Sequence, residues 1–342
     1  MRVIYSEDHR YHFPQAELYF GQFVTPFERP SRVEYILARL KERKFSRIEP
    51  PEEFSMKAAQ RVHDAGFLQF LEGAWAEWSK VGSRGEIIPS GFPARRMQLR
   101  VPTNIDGKAG YYALATETAI TAGTWTAAKS SAAVVQTAQR IVGAGERSAF
   151  ALCRPPGHHA ARDMYGGYCF LNNAAIAAQM FLDQGAKRVA ILDVDFHHGN
   201  GTQDIFYRRN DVFFVSLHGR PEDAFPYFLG YADESGEGEG EAFNVNYPMA
   251  AGTSFQVWEQ ALGDALRRIS GYGPDALVVS LGVDTFKDDP ISFFKLDSDD
   301  FRTYGARIEK AKLPTLFVME GGYAIEAIGV NTVNVLEGFL GG

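Results

Sequence analysis

Apolar residues fall into two rhythms along this chain. Five short, nearly continuous runs, 148–153 (SAFALC), 188–194 (RVAILDV), 211–217 (DVFFVSL), 275–281 (DALVVSL) and 314–320 (PTLFVME), are each bounded by turn residues. Runs of that length without alternation are expected of strands buried on both faces, as in a parallel sheet. Between them the apolar spacing changes to three and four residues and predicts helices over 172–184, 254–270 and 298–311. The last opens with Asp297 and Ser298 ahead of Asp299 and Asp300, acids suited to a helix N-terminus. The same spacing predicts helices over 31–44 and 60–80, the second weakened by Gly66 and Gly73. Strands alternating with helices make repeated βαβ units, hence an α/β fold. The segment 81–112 has neither rhythm and is dense in Gly, Pro and Arg. A connection that long inside a compact domain is usually functional or mobile.

Composition narrows this only a little. A chain of 342 residues accommodates one large α/β domain, and 45% hydrophobic with 23% charged residues requires a packed core. The formal net charge of -7 gives no general attraction to nucleic acid or to an anionic membrane surface, and suits a cationic partner better. Two cysteines, Cys153 and Cys169, make neither a disulfide framework nor a thiolate zinc site, so a reducing cytoplasm is the expected location. No stretch approaches the roughly 18 apolar residues of a membrane span.

The chemistry is concentrated where the predicted strands end. The five runs are followed by RPPGHHA, DFHHGNG, HGR, GVDTF and GGYA, so each discharges histidine, aspartate or tyrosine at its carboxyl end. Ligands in open parallel sheets bind at that edge. Asp195 and His197, two residues apart in ILDVDFHHGNGTQD, point the same way in extended chain, and Asp284 from a neighbouring strand end completes a three-ligand set. That oxygen-rich set suits Zn²⁺ and leaves Fe²⁺, Mn²⁺ and Co²⁺ open. Asp193, inside the apolar run, must be paired if buried and is placed behind the metal, orienting a histidine. His198 points away and is assigned to structure. His158 and His159 are adjacent, which suits acid/base work better than joint ligation, with one catalytic and one structural histidine as the alternative. Tyr323, after Gly321 and Gly322, can reach inward to donate a hydrogen bond to a developing oxyanion.

The motifs RPPGHHA, GGYCFLNN, DVDFHHGNGTQ, SLGVDTF and EGGY, in this order from ERPSRV onward, resemble the arginase–deacetylase superfamily. The similar branch is that of zinc-dependent histone deacetylases and acetylpolyamine amidohydrolases. The resemblance implies a single deacetylase domain over 1–342, an open three-layer fold with a central parallel sheet of about eight strands, and hydrolysis of an N-acetyl amide. It implies one Zn²⁺ on Asp195, His197 and Asp284, a tandem acid/base pair in His158 and His159, and polarisation of the acetyl carbonyl by Tyr323. Tyr168 and Phe225 would wall an acyl tunnel, and Gly167 would offer its carbonyl to the amide N–H. It further implies structural K⁺ held by Asp193, Asp195, His197, Ser216 and Leu217 at an inner site, and by Phe206, Arg209, Val212 and Phe243 at an outer one. Asn200 stands where histone-directed relatives have a carboxylate, so His159 is expected to be held less strongly as imidazolium. In TPFERP, Phe27 replaces the family's usual residue, without an evident consequence.

Three features favour a small acetylated polycation, such as acetylputrescine, acetylcadaverine or acetylspermidine, as substrate. Segment 81–112 resembles an insertion with which acetylpolyamine-type members pair subunits and narrow the entrance, which implies a homodimer. Glu17, Asp106 and Glu117 are candidates for pairing with ammonium groups, Asp106 being the better candidate for plain surface charge. The sequence also has no docking tail for chromatin. The alternatives are an acetyl-lysine protein deacetylase and, in another class, a binuclear manganese ureohydrolase.

Overall fold

A computed structural model describes residues 1–82 and 85–341. In chain order the strands are β1 (Arg2–Ile4), β2 (Glu17–Tyr19), β3 (Gln22–Val24), β4 (Ile48–Glu49), β5 (Ser148–Ala151), β6 (Val189–Asp193), β7 (Val212–Gly219), β8 (Asn244–Met249), β9 (Ala276–Leu281) and β10 (Thr315–Met319). The five apolar runs form β5, β6, β7, β9 and β10; with β1, β4 and β8 they make an eight-stranded sheet in the order β4-β1-β5-β10-β9-β6-β7-β8. Every neighbouring pair in it is parallel. β10, late in the chain, lies between β5 and β9 and joins the two halves, while β2 and β3 form a separate antiparallel hairpin.

The helices are α1 (Ser31–Glu42), α2 (Met56–Ala59), α3 (Ala65–Lys80), α4 (Ile105–Tyr111), α5 (Thr124–Gly143), α6 (Asn173–Asp183), α7 (Asn200–Phe206), α8 (Phe255–Tyr272), α9 (Ser298–Glu309) and α10 (Ile325–Gly341). Alternate strand residues face opposite cores. Ala149, Ile191, Val278 and Leu316 pack with α3, α5 and α6, whereas Phe150, Leu192, Val279 and Phe317 pack with α1, α8, α9 and α10. Both faces of the sheet are therefore covered, giving the three-layer arrangement that continuous apolar runs require.

Several expected boundaries shift for local reasons. The helix expected over 60–80 starts at Ala65, because Asp64 accepts hydrogen bonds from Gly66 N (2.7 Å) and Phe67 N (3.3 Å) as its cap. Gly66 thereby falls in the first turn. The helix expected to stop at 270 continues to Tyr272 and ends at Gly273 in left-handed backbone (φ 65°). Asp297 and Asp300 form a reciprocal capping box at α9. α5 and α10, each buried around most of its circumference, were not among the expected helices.

Segment 81–112, expected to lack regular structure, contains α4, capped by Asn104, and a bridge from Ile87 to Ile120. Its Ser83 and Arg84 lie outside the described residues. Among the described residues no helix is long and apolar enough to cross a membrane.

Candidate active site

The parallel sheet brings the carboxyl ends of β5, β6, β9 and β10 to one edge, and the chain leaving each of them supplies a different functional group. Beyond β6, Asp195 and His197 turn toward Asp284, which follows β9; the three donor atoms lie within 4.8 Å of one another. His197 Nδ1 is 3.0 Å from Asp284 Oδ2 and 3.4 Å from Asp195 Oδ1. Tetrahedral zinc, with bonds of about 2.0–2.2 Å, needs ligand atoms roughly 3.3 Å apart, so the observed spacing fits a small dication.

Electrostatics point the same way. Burial, with Asp195 alongside, pushes Asp284 up to about 7. Asp195 is held below the carboxylate range despite its burial, because His158 and His197 surround it. A divalent cation between the two carboxylates would relieve their repulsion.

The glycines of this region leave room for the ligands. A Cβ on Gly282 would lie 2.0 Å from Asp195 Oδ2, and one on Gly321 would lie 2.5 Å from Asp284 Oδ2. Backbone amides hold the remaining carboxylate oxygens: Gly321 N donates to Asp195 Oδ2 at 2.7 Å and Phe196 N to Asp284 Oδ1 at 2.7 Å. A second buried group, His158, Cys169 and Glu320, also has ligand-like spacing. Its thiol is held far above the ordinary range by burial and lies 3.2 Å from Gly167 O, and Glu320 Oε2 is taken up by Gly157 N and His158 N.

The two tandem histidines differ in their partners. His158 Nδ1 lies 3.0 Å from Asp193 Oδ2, and His159 Nδ1 lies 2.6 Å from Asn200 Oδ1. Burial alone would depress His158, but Asp195 and Asp193 overcome it and raise the imidazole to about 10. Burial and the neighbouring His158 and His197 push His159 well below its ordinary value, and the neutral Asn200 amide does little to oppose them. Asp193 thus sits behind a histidine, as its place in the apolar run suggested. His198 bonds Gln203 at 3.0 Å and belongs to the scaffold, as does His63, which lies between Ala161 O and Asn172 N.

Groups that sequence spacing did not reveal hold these loops. Glu320 Oε2 accepts from Gly157 N (2.6 Å) and His158 N (3.1 Å). Asp289 Oδ2 accepts from Tyr323 N at 2.7 Å and Ala324 N at 3.2 Å, fixing the backbone that presents the phenol. Arg32 stacks on the Tyr323 ring (4.9 Å) and donates to Gly322 O at 2.7 Å. Glu28 joins Arg32 to Arg154 at 2.9 and 2.8 Å, and Arg154 Nη2 donates to His12 O at 2.8 Å, all of it buried. These residues come from segments far apart in the chain; Glu28, Arg32, Arg154 and Glu320 fall within the quoted motifs, whose spacing did not show what they hold, and Asp289 falls outside them.

A cavity of about 390 Å³ opens over this constellation, lined among others by His159, His197, Gly167, Tyr168, Phe225 and Tyr323. Glu17, Glu117 and Asp223 line it too and, among the described residues, no lysine or arginine does. Glu17, expected at the mouth, is nearly inaccessible with both oxygens engaged: Tyr168 Oη donates at 2.7 Å and Phe27 N at 3.0 Å. Burial pushes its carboxyl up to about 7. Glu117 Oε1 accepts from Gly167 N at 2.8 Å and the residue is only partly buried, so it is the more available acid. Asp106 does not line the cavity and accepts from Ser90 Oγ. Among the described residues none of 81–112 lines it; Arg95 of that segment stacks 5.5 Å from the ring of Phe228, the neighbour of Tyr227.

A parallel α/β sheet with a buried Asp-His-Asp cluster, tandem histidines and a tyrosine at its carboxyl edge defines a metal-dependent hydrolase. Residues 26–339 match the histone deacetylase domain family, and the chain belongs to it. Across its full length it is 59% identical to acetylpolyamine amidohydrolase 1 of Pseudomonas aeruginosa, covering 99% of that protein, and 57% identical to the acetylpolyamine amidohydrolase of Mycoplana ramosa, covering 100%. The crystal structure of an acetylpolyamine aminohydrolase from Burkholderia pseudomallei superposes with a TM-score of 0.94 at 38% identity, over 99% of this chain and 98% of that one. The fold is the arginase/deacetylase one, and the protein is an amidohydrolase of the deacetylase type, metal-dependent like its family.

Proposed function

We propose that the protein removes the acetyl group from small acetylated polyamines, releasing acetate and a free amine. The observation that carries this is the cavity wall: the partly buried carboxylate of Glu117 stands among eight aromatic rings and, among the described residues, no lysine or arginine, a lining that suits a flexible cation. The names of the two relatives given above support it.

The metal this reading assigns to Asp195, His197 and Asp284 is zinc, which when bound acidifies water and polarises a carbonyl. The remaining steps belong to the chain's own residues. Asn200 Oδ1 keeps the hydrogen of His159 on Nδ1, so Nε2 carries the free lone pair that takes the proton of the attacking water. Tyr323, whose phenol burial holds far above its ordinary range, stays protonated and donates a hydrogen bond to the oxyanion. His158, held cationic by Asp193 and Asp195, delivers a proton to the amine as the C–N bond breaks. Tyr168 and Phe225 flank the acyl chain, Gly167 O accepts from the amide N–H, and Glu117 receives a substrate ammonium.

The same reading places K⁺ at the inner site of Asp193, Asp195, His197, Ser216 and Leu217 and at the outer site of Phe206, Arg209, Val212 and Phe243. It places the enzyme in the cytoplasm as a single-domain homodimer, paired through 81–112, where Phe92, Met97, Leu99 and Val101 are exposed. Steady-state comparison of acetylputrescine, acetylcadaverine and acetylspermidine with an acetyl-lysine peptide, on zinc-loaded protein, tests the substrate. A higher kcat/KM for the diamines and triamine is expected; a preference for the peptide would overturn the assignment.

A further inference from the structure

Backbone conformations that most residues avoid cluster at the cavity. Of the seven described non-glycine residues with positive φ, three are aromatic, Phe20 (45°), Tyr168 (66°) and Tyr227 (66°), and all three line it. Left-handed backbone costs free energy for a bulky residue, and its concentration at one site points to function. Tyr168 has a structural role already, as a buried wall bonded to Glu17. Phe20 and Tyr227 are 84% and 45% exposed, with their rings set edge-on to Tyr19 and Phe225.

Phe20 is the harder one to explain by folding. Tyr19 pairs with Gln22, so Phe20 and Gly21 (φ 79°) are the two residues joining β2 to β3. A two-residue turn with positive φ at both positions favours Asn-Gly, and a phenyl ring there gives the turn nothing. It does put an aromatic ring on the wall of the cavity, which Glu117 and Asp223 also line, the latter paired with Arg220. Next to Tyr227, a cation already stacks on an aromatic ring, the Arg95 guanidinium on Phe228.

We propose that Phe20 and Tyr227 are specificity-determining residues that hold the distal ammonium of the substrate by cation–π contact outside the acyl tunnel. The inference rests on the polyamine reading above. It makes the aromatic rim, beside Glu117, the part of the enzyme that tells an acetylated polyamine from a neutral amide of the same length.

The test uses Phe20→Asn, which gives the turn its preferred dipeptide, with Tyr227→Asn and the double variant. Each is assayed on N-acetylated diamines and on N-acetylated alkylamines of equal length bearing a methyl in place of the ammonium. Melting temperature should hold or rise for Phe20→Asn. KM for the charged substrate should rise about two- to fivefold per substitution, the range of exposed cation–π contacts, with the effect falling on KM rather than kcat. The preference for charged over neutral substrate should shrink accordingly, and Phe20→Tyr should retain it. An unchanged preference in the folded double variant would overturn the inference while leaving the polyamine reading intact. Failure of the unsubstituted enzyme to turn over acetylated diamines would overturn both.

Discussion

Replacing Asn200 by aspartate should move the acidic limb of the pH–rate profile upward. The substituted carboxylate would lie where Asn200 Oδ1 now sits, 2.6 Å from His159 Nδ1, with both residues buried. At a charge separation of about 4 Å and an effective dielectric of about 20, the attraction to an imidazolium is about 4 kcal/mol, equivalent to roughly three pKa units. Desolvation of the added carboxylate offsets part of this and leaves a rise of about one to three units. His159 in the unsubstituted enzyme is held well below its ordinary value by burial and by the neighbouring His158 and His197. A general base works only when unprotonated, so rate is lost as pH falls through its pKa, and raising that pKa moves the loss to higher pH. The assay is kcat/KM on an acetylated diamine across pH 4.5–10, with metal content measured at each end. An acidic limb displaced by about one to three pH units is expected. A uniform fall at every pH, with the limb unmoved, would refute the electrostatic role given to Asn200.

Gly282→Ala should cost about 10–100-fold in metal affinity, since the methyl group meets Asp195 Oδ2 at 2.0 Å. Competitive metal titration beside circular dichroism checks that affinity, and not the fold, is lost. Arg154→Met should destabilise the protein by about 3–5 kcal/mol, because Glu28 and two backbone carbonyls lose a buried cation. For 342 residues at about 2.1 cal/mol/K per residue, that is a fall of about 4–7 °C in melting temperature. A shift below about 1 °C in a thermal melt would contradict it.

What was legible in the sequence follows from what burial does to pattern. Strands covered on both faces become uninterrupted apolar runs, so β5, β6, β7, β9 and β10 stood out. β1 and β4 have three and two residues, too few for any rhythm, and β8 (NVNYPM) mixes buried and half-buried positions at the sheet's edge. The candidate ligands Asp195, His197 and Asp284 and the histidines His158 and His159 were visible as a group because parallel topology fixes which end of the strands they share. The roles of Arg32, Glu28, Arg154 and Asp289 were not, although the first three fall within ERPSRV and RPPGHHA, since each acts on groups far away in the chain and nothing in its local spacing records that. Glu17 was legible as an acid near the mouth but not as a buried one whose oxygens are both engaged, which is a property of packing.

The place of β10 has a consequence for how the enzyme is made. The strands β4, β1 and β5 form one half of the sheet and β9, β6, β7 and β8 the other, and the strand between them is the last to be synthesised. On the ribosome, His158 and His159 emerge with the first half and Asp195, His197 and Asp284 with the second, but no hydrogen bond of the sheet joins the halves until Thr315–Met319 is free of the exit tunnel. Long-range parallel pairing of this kind is intrinsically slow and leaves open sheet edges exposed meanwhile. The nascent chain therefore holds both parts of its active centre unassembled for most of its synthesis, and the strand that closes the sheet is followed four residues later by Tyr323.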